Sequence, residues 1–403
     1  MSIRTWLNSD SVRTAFISRS RNTGYFKVKY AFGKYVAVGG QINPATGTTY
    51  PSTNSTNIGG PVTAKLCSWS TDGLNWTDSV SGIPALGTTV VYNNLEWNGT
   101  YWIACAGRQI SDVWNTSKAR STDAITWTNA TDTGILVNGL VSSAANGRLL
   151  YVGARNGVSI LDLTWNLDGV DMTTNLLAYT TTAVTGSMTT ALNNTAIWMT
   201  AGVGNILTAT TIGVQGAPSA ANWTSRTVPW GVLGGAAANQ RWAMALASDG
   251  IQILALVSDT PMSNPADSRI TPIRIYRTVN NGVTWLGPIM LPYDPSTGQG
   301  PYWDIIFNGR LWCVIGYGSC LLSKDGIAWT PIQIPAGLWR SVASDGDTFV
   351  AVSQDGYRIK MKFDEAVVGL SVATKSARMA PPEEFFSEII EEGEYVEPVT
   401  QGE

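Results

Sequence analysis

Short apolar segments, separated by polar turns rich in Asn, Asp and Gly, run through most of the chain. Alternating apolar and polar positions within such segments are typical of half-buried β-strands, and Asn-Gly or Asp-Gly turns are typical of hairpins. No apolar segment approaches the roughly 18 residues that a membrane-spanning helix needs. The pattern therefore predicts an all-β protein without membrane insertion.

One hairpin pattern recurs along the chain: an apolar strand, a tight turn and a second apolar strand ending in small residues. The turns fall near residues 33, 99, 147, 194, 239, 309 and 346, an average step of about 52 residues. The seven copies are YAFGKYVAVGG (30–40), LEWNGTYWIACAG (95–107), SAANGRLLYVG (143–153), ALNNTAIWMTAG (191–202), AAANQRWAMALA (236–247), IIFNGRLWCVIG (305–316) and VASDGDTFVAVS (342–353).

A second motif follows four of these hairpins, as STDGLNWT (70–77), STDAITWT (121–128), TVNNGVTW (278–285) and SKDGIAWT (323–330). A short Asp or Asn side chain stabilises a turn by accepting backbone N–H bonds, Gly permits a positive φ, and Trp buries a large ring. The motif resembles the Asp-box of sialidase-type β-propellers. Its structural residues are Asp72, Trp76, Asp123, Trp127, Asn280, Trp285, Asp325 and Trp329.

The Asp residues of this motif allow two interpretations, a catalytic or calcium-binding group and a turn that stabilises the edge of a sheet. We favour the second, and predict no catalytic residue, no metal and no cofactor. The absence of histidine excludes Ser-His-Asp and Cys-His catalysis and histidine-ligated zinc. Two of the four cysteines, Cys105 and Cys313, lie in apolar strand patterns typical of buried thiols, although spacing alone leaves a disulfide open.

Repeats of this length, each with four short strands, predict a seven-bladed β-propeller over residues 1–362. The last repeat, residues 339–364, contains only three strand segments. We expect residues 11–20, an N-terminal strand, to complete this blade and close the ring. Two polar insertions, residues 41–62 and 256–272, are predicted to be loops on one face of the disc.

The charge distribution separates the predicted propeller body, residues 1–362, from an acidic tail. Residues 1–362 carry 24 Lys and Arg against 19 Asp and Glu, whereas residues 363–403 carry 2 against 10. The tail sequence PPEEFFSEIIEEGEYVEP predicts a short acidic helical arm whose apolar residues bind a partner, although a frayed tail is the alternative. These partner-binding residues are Phe385, Phe386, Ile389 and Ile390.

Three candidate functions remain. The Asp-box resemblance implies a sialidase-like glycoside hydrolase or a carbohydrate-binding propeller, but Glu96 is the only Glu before residue 365 and no second carboxylate of a catalytic pair stands out. Low charge, abundant Thr, Ser, Asn and Trp, and irregular repeats are similar to tailed-bacteriophage virion proteins that carry such propellers. An assembly factor of the photosystem type, also an Asp-box propeller, ranks below both.

The sequence therefore favours a non-enzymatic structural or adhesive virion component, such as a tail, nozzle, fibre-attachment or decoration protein. Its expected partners are other virion proteins, bound through residues 383–392, and a host-surface glycan, bound by loops such as 41–62. No signal peptide is visible, so we expect synthesis in the host cytoplasm. Nucleic acid is an unlikely partner because the body has no run of Lys or Arg.

Overall fold

Every regular element in the described part of the chain is a β-strand, in agreement with the predicted all-β class. No helix there is long and apolar enough to cross a membrane. The computed structural model describes residues 4–8, 12–20, 23–41, 66–79, 92–106, 108–110, 113–115, 118–130, 135–142, 149–155, 158–166, 177–181, 188–194, 197–202, 205–210, 223–230, 241–258, 273–292 and 302–363.

Five four-stranded antiparallel sheets follow one another along the chain. The first and second contain β3 (Thr23–Ala31), β4 (Lys34–Gln41), β5 (Cys67–Ser70) and β6 (Thr77–Asp78), then β7 (Tyr92–Trp97), β8 (Trp102–Ala106), β11 (Lys118–Ser121) and β12 (Thr128–Ala130). The short strands β9 (Arg108–Ile110) and β10 (Val113–Asn115) pair only with each other among the described strands.

The next three sheets repeat this order of four strands. The third contains β13 (Ile135–Ser142), β14 (Leu149–Arg155), β15 (Val158–Asn166) and β16 (Leu177–Thr181); the fourth contains β17 (Met188–Asn193), β18 (Ile197–Gly202), β19 (Asn205–Thr210) and β20 (Thr224–Thr227); and the fifth contains β21 (Trp242–Ser248), β22 (Ile253–Ser258), β23 (Ile273–Thr278) and β24 (Leu286–Met290).

A seven-stranded sheet contains both ends of the described chain. Its order is β1-β2-β29-β28-β27-β26-β25. The long strand β27 pairs with β26 through residues 330–333 and Leu338, and with β28 through residues 339–344, so two sheet segments share one strand. Its members are β1 (Arg4–Asn8), β2 (Val12–Arg19), β25 (Tyr302–Phe307), β26 (Trp312–Ser323), β27 (Thr330–Ser344), β28 (Phe349–Ser353) and β29 (Tyr357–Phe363).

The N-terminal strand β2 lies antiparallel to β29, with Ile17 opposite Ile359. Residues 12–19 thus stand beside the last strand of the described chain, at the place where the sequence predicts a closing strand. The strand β1 was not predicted from the sequence, and it extends the sheet by one further strand.

The strands β3, β7, β13, β17, β21, β25 and β27 form a circle of contacts, in which each touches the next and β27 touches β3. We call these seven the ring strands. Hydrophobic clusters fill the spaces between neighbouring sheets; one joins Tyr25 and Tyr35 of the first sheet to Val350 and Val352 of β28. The described cores therefore lie between neighbouring sheets.

Two predicted boundaries are wrong. The fifth hairpin turns at Asp249–Gly250 instead of near residue 239, because Gly250 adopts a positive φ of 90° and Asp249 accepts the Ile251 and Gln252 N–H groups. Residues 236–247 therefore contain most of the first strand of this hairpin and not its turn. The loop predicted over 256–272 starts too early, since β22 continues to Ser258.

Candidate functional site

The four predicted motif segments fold into nearly identical turns, which we call the Asp/Asn turns. In the first, the Asp72 carboxylate accepts the backbone N–H groups of Leu74 and Asn75 at 2.8 Å and the Ser70 hydroxyl at 2.9 Å. The same bonds recur around Asp123 and Asp325. In the turn of the fifth sheet, Asn280 replaces the aspartate, and its Oδ1 accepts the Thr284 N–H at 2.9 Å.

These hydrogen bonds make the aspartates stronger acids than usual. Partial burial raises the pKa of Asp72, but the N–H groups of Asn75 and Leu74 stabilise the carboxylate more and lower the pKa to about 2. The pKa values of Asp123 and Asp325 are lowered by equivalent bonds. A carboxylate held in this way is a poor general acid at neutral pH.

The tryptophans of the motif lie beside their own turns. The indole N–H groups of Trp76 and Trp127 donate to the carbonyl oxygens of Gly73 and Ala124, and both rings are buried. Trp285 and Trp329 are half-buried and pack against the hydrophobic clusters of the neighbouring sheets. Each tryptophan therefore links its turn to a core.

The Asp/Asn turns also connect neighbouring sheets. The main-chain carbonyl oxygens of Asp72, Asp123 and Asp325 each accept a bond from a side chain of the adjacent sheet or sheet segment. The donors are Lys360 Nζ at 2.6 Å, Lys34 Nζ at 2.8 Å and Gln252 Nε2 at 3.0 Å, respectively. The arrangement favours a structural role for these aspartates. Among the described residues, no group of three or more Cys, Asp and Glu side chains could hold a metal ion.

Two buried carboxylates on the ring strands are bonded to lysines of β3. Glu96 Oε2 accepts Lys29 Nζ at 2.8 Å, and Asp304 Oδ2 accepts Lys27 Nζ at 3.0 Å. Asp304 Oδ2 also accepts the Ser341 hydroxyl at 2.6 Å and a backbone N–H from β27 at 3.2 Å. The bonds of Asp304 therefore connect three ring strands, β25, β27 and β3. The bond of Glu96 connects β7 to β3.

Each ring strand carries a β-bulge where it pairs with the next strand of its hairpin. The pairing register skips one residue in each of the seven hairpins, at Phe26, Asn93, Asn138, Thr189, Met244, Trp303 and Arg340. Bulges redirect a side chain out of the regular alternation. These bulges were not predicted from the sequence. A signal for them exists, because the bulge residue stands six positions before the turn glycine in four copies, those with Gly99, Gly250, Gly309 and Gly346.

Three of the bulge residues lie together. The Arg340 guanidinium carbon is 3.9 Å from the centre of the Trp303 ring and 5.6 Å from the centre of the Phe26 ring. Arg340 Nε donates to Gln354 Oε1 at 2.8 Å, and Nη2 donates to the same oxygen. This half-buried cation–π cluster joins three ring strands.

The four cysteines are buried free thiols. Cys313 Sγ and Cys320 Sγ approach to 3.5 Å, and burial raises the pKa values of Cys67 and Cys105 to about 12. The predicted partner-binding residues Phe385, Phe386, Ile389 and Ile390 and nearly all of the predicted loop over 41–62 lie outside the described residues.

Solved structures similar to this chain include one described as YCF48 bound to D1 peptide, at 11% identity and a TM-score of 0.55, with 90% of this chain and 100% of that chain covered. Another is a catalytically inactive virginiamycin B lyase from Staphylococcus aureus with quinupristin, at 12% identity and a TM-score of 0.54, with 90% and 98% covered. The chain has a β-propeller-like fold. No family model and no curated protein matches this propeller.

Proposed function

We propose that this propeller is a structural and adhesive component of a tailed-bacteriophage particle, in the tail, its nozzle, a fibre attachment or the capsid decoration. In this proposal, a rigid seven-bladed disc positions the subunit, loops on one face make contacts, and the acidic C-terminal arm binds a neighbouring virion protein. The assignment to a phage is supported by the sequence resemblance, and the assignment to an assembly role is supported by the geometry of the ring strands.

Seven blades account for the repeated features of the described chain. There are seven ring strands and seven bulges, and the circle of contacts returns from β27 to β3. The seven-stranded sheet is then two blades joined through β27, and β2 supplies an outer strand to the last of them. This division places the propeller in residues 1–362 and the arm in residues 363–403.

The observation that carries the assembly role is the bonding of Asp304 across three ring strands. Asp304 is 4% exposed, and its carboxylate is bonded to Lys27 of β3 and Ser341 of β27, so it connects three of the ring strands. A buried carboxylate with these bonds is better suited to a structural role in a rigid frame than to a catalytic role as a mobile acid or base. One similar structure is described with a bound peptide, which supports a protein ligand for this propeller.

The proposal is tested by following the subunit into phage particles. We expect the double variant Phe385→Asp/Ile389→Asp to fold, since the arm lies outside the repeats, but to be absent from purified particles. The control is Phe385→Leu/Ile389→Val, which keeps both side chains apolar and is expected to be incorporated normally. Quantitative immunoblotting of particles measures the difference, and normal incorporation of the Asp variant contradicts the proposal.

The hydrolase alternative has a specific test because Glu96 is buried on a ring strand. Hydrolysis of chromogenic sialosides and other chromogenic glycosides is measured for the native chain and for Glu96→Gln. We expect no turnover by either protein. Turnover that Glu96→Gln abolishes would replace the structural proposal with a glycoside hydrolase.

A further inference from the structure

Six of the seven exposed large hydrophobic side chains in the described residues belong to one region of the propeller. Five lie on the turns and outer strand of the fifth sheet, and the sixth lies on the adjacent Asp/Asn turn. We call them the apolar patch: Ile251, Val279, Val283, Leu286, Met290 and Ile327. Their exposed fractions range from 46% to 82%, and an exposed apolar group of this kind marks an interaction surface.

Strand register makes this patch continuous. Ile253 is opposite Thr278, so the turn that contains Ile251 lies beside the turn that contains Val279 and Val283. Leu286 is opposite Arg277, which extends the patch onto the outer strand β24. On the side of the fifth sheet that faces the seven-stranded sheet, Gln252 Nε2 donates to the Asp325 carbonyl oxygen. This bond places the turn that contains Ile327 next to the patch.

Basic side chains border the apolar patch. Arg274 and Arg277 on β23 are opposite Met290 and Leu286, and Lys324 is exposed on the turn that contains Ile327. The Nε atom of Arg277 is buried and has no hydrogen-bond partner among the described residues. Two carboxylates, Asp249 and Asp325, lie on the same turns, and each accepts N–H groups of its own turn.

We propose that the apolar patch is the docking site for the acidic arm of the same chain, residues 383–392. The arm offers the matching chemistry, with apolar Phe385, Phe386, Ile389 and Ile390 flanked by Glu383, Glu384, Glu388, Glu391 and Glu392. A short amphipathic segment gains stability when its apolar side chains enter such a surface. The inference adds a resting position for the arm and does not depend on the phage assignment.

The end of β29 supports docking within one chain. Lys362 Nζ bonds to Asp347, so the end of β29 lies beside the turn between β27 and β28. In the fifth sheet, the end of β23 lies beside the turn between β21 and β22 in the same way. The arm therefore starts at the same end of the propeller as the turns of the patch. The 21 residues between Phe363 and Phe385 can span about 70 Å, and such a tether gives a millimolar effective concentration.

The test places a photo-crosslinking benzoylphenylalanine at position 386 of the full-length chain. Isotopically heavy and light copies are mixed before irradiation, and mass spectrometry identifies the joined peptides. We expect crosslinks to residues 279–290 and 324–330, with heavy joined to heavy and light to light. Mixed heavy–light crosslinks would assign the patch to the arm of a second copy, and crosslinks elsewhere or none at all would remove the patch as the docking site.

A variant pair separates the patch from general effects on the fold. Leu286→Asp/Met290→Asp changes two exposed side chains, and we expect the crosslink yield to fall at least tenfold with an unchanged circular dichroism spectrum. The control is Phe32→Asp, which changes an exposed apolar residue on a different hairpin and is expected to leave the yield unchanged. An unchanged yield in the patch variant overturns the inference. Both measurements use purified protein, so they are independent of incorporation into particles.

Discussion

At the residue scale, the Asp/Asn turns depend on one backbone conformation. Gly73 and Gly326 adopt positive φ values of 73° and 75°, and in the second turn Ala124 adopts 65° at the same position. Alanine costs about 1–2 kcal/mol in this left-handed region relative to glycine. The second turn tolerates that cost because its aspartate, its serine and the Trp127 indole make the same bonds as in the first turn.

Substitution of Gly326 by alanine should be more destabilising than the backbone alone explains. A Cβ atom there would lie 2.8 Å from Leu254 Cδ1 of the neighbouring sheet, besides the unfavourable φ. We expect the free energy of unfolding to fall by about 2–4 kcal/mol, measured by urea denaturation. Gly346→Ala is the control, because its φ is +98° but a Cβ would meet nothing within 4 Å. Equal losses in the two variants would show that the contact with Leu254 is unimportant.

The lowered aspartate pKa values predict acid sensitivity. Unfolded Asp has a pKa of about 3.9, whereas that of Asp72 in the fold is about 2 and those of Asp123, Asp325 and Asp345 are also lowered. Their stabilising contribution is therefore complete above about pH 4 and is lost as the pH falls toward 2. Urea denaturation between pH 2 and pH 6 should show this decline, and Asp72→Asn should reduce its slope. Stability that rises on acidification would contradict the assignment.

At the element scale, the ring strands are held together by side chains as well as by packing. We expect Asp304→Ala to lower the free energy of unfolding by about 3 kcal/mol or more, because it leaves the Ser341 hydroxyl and the Val342 N–H without their buried acceptor. Asp347→Ala is the matched control. It breaks the exposed Lys362–Asp347 pair and should cost less than about 1 kcal/mol by the same denaturation measurement. Similar losses would show that Asp304 does not join the strands.

Strand periodicity and turn chemistry depend only on residues that are close together in the chain. The sequence therefore predicted the hairpins whose positions these local features determine. Hairpins with a turn glycine, such as those at Gly99, Gly309 and Gly346, are found where the repeat predicts them. The hairpin predicted near residue 239 has no such glycine and is displaced to Gly250. The contacts of Asp304 could not be predicted, because they join residues 277 and 37 positions apart through a bulged register.

At the scale of the whole molecule, the pairing of the two ends of the described chain completes the last sheet segment. Without β2, the strand β29 would expose the backbone groups along one edge, which invites pairing with other chains. The partner β28 covers only the other edge. The strand β1 contributes differently, since it pairs with β2 alone and leaves the contact with β29 unchanged.

Two deletions separate these contributions. Removal of residues 1–20 eliminates β1 and β2, so we expect a lower melting temperature and aggregation through the exposed edge of β29. Removal of residues 1–10 eliminates β1 but leaves Val12–Arg19 paired with β29, and this shorter deletion should leave light scattering and the melting temperature close to those of the native chain. Differential scanning calorimetry and light scattering measure both quantities. The last three-stranded segment pairs with a strand about 340 to 350 positions earlier in the chain. Identical behaviour of the two deletions would mean that β29 tolerates an open edge and that this segment needs no N-terminal strand.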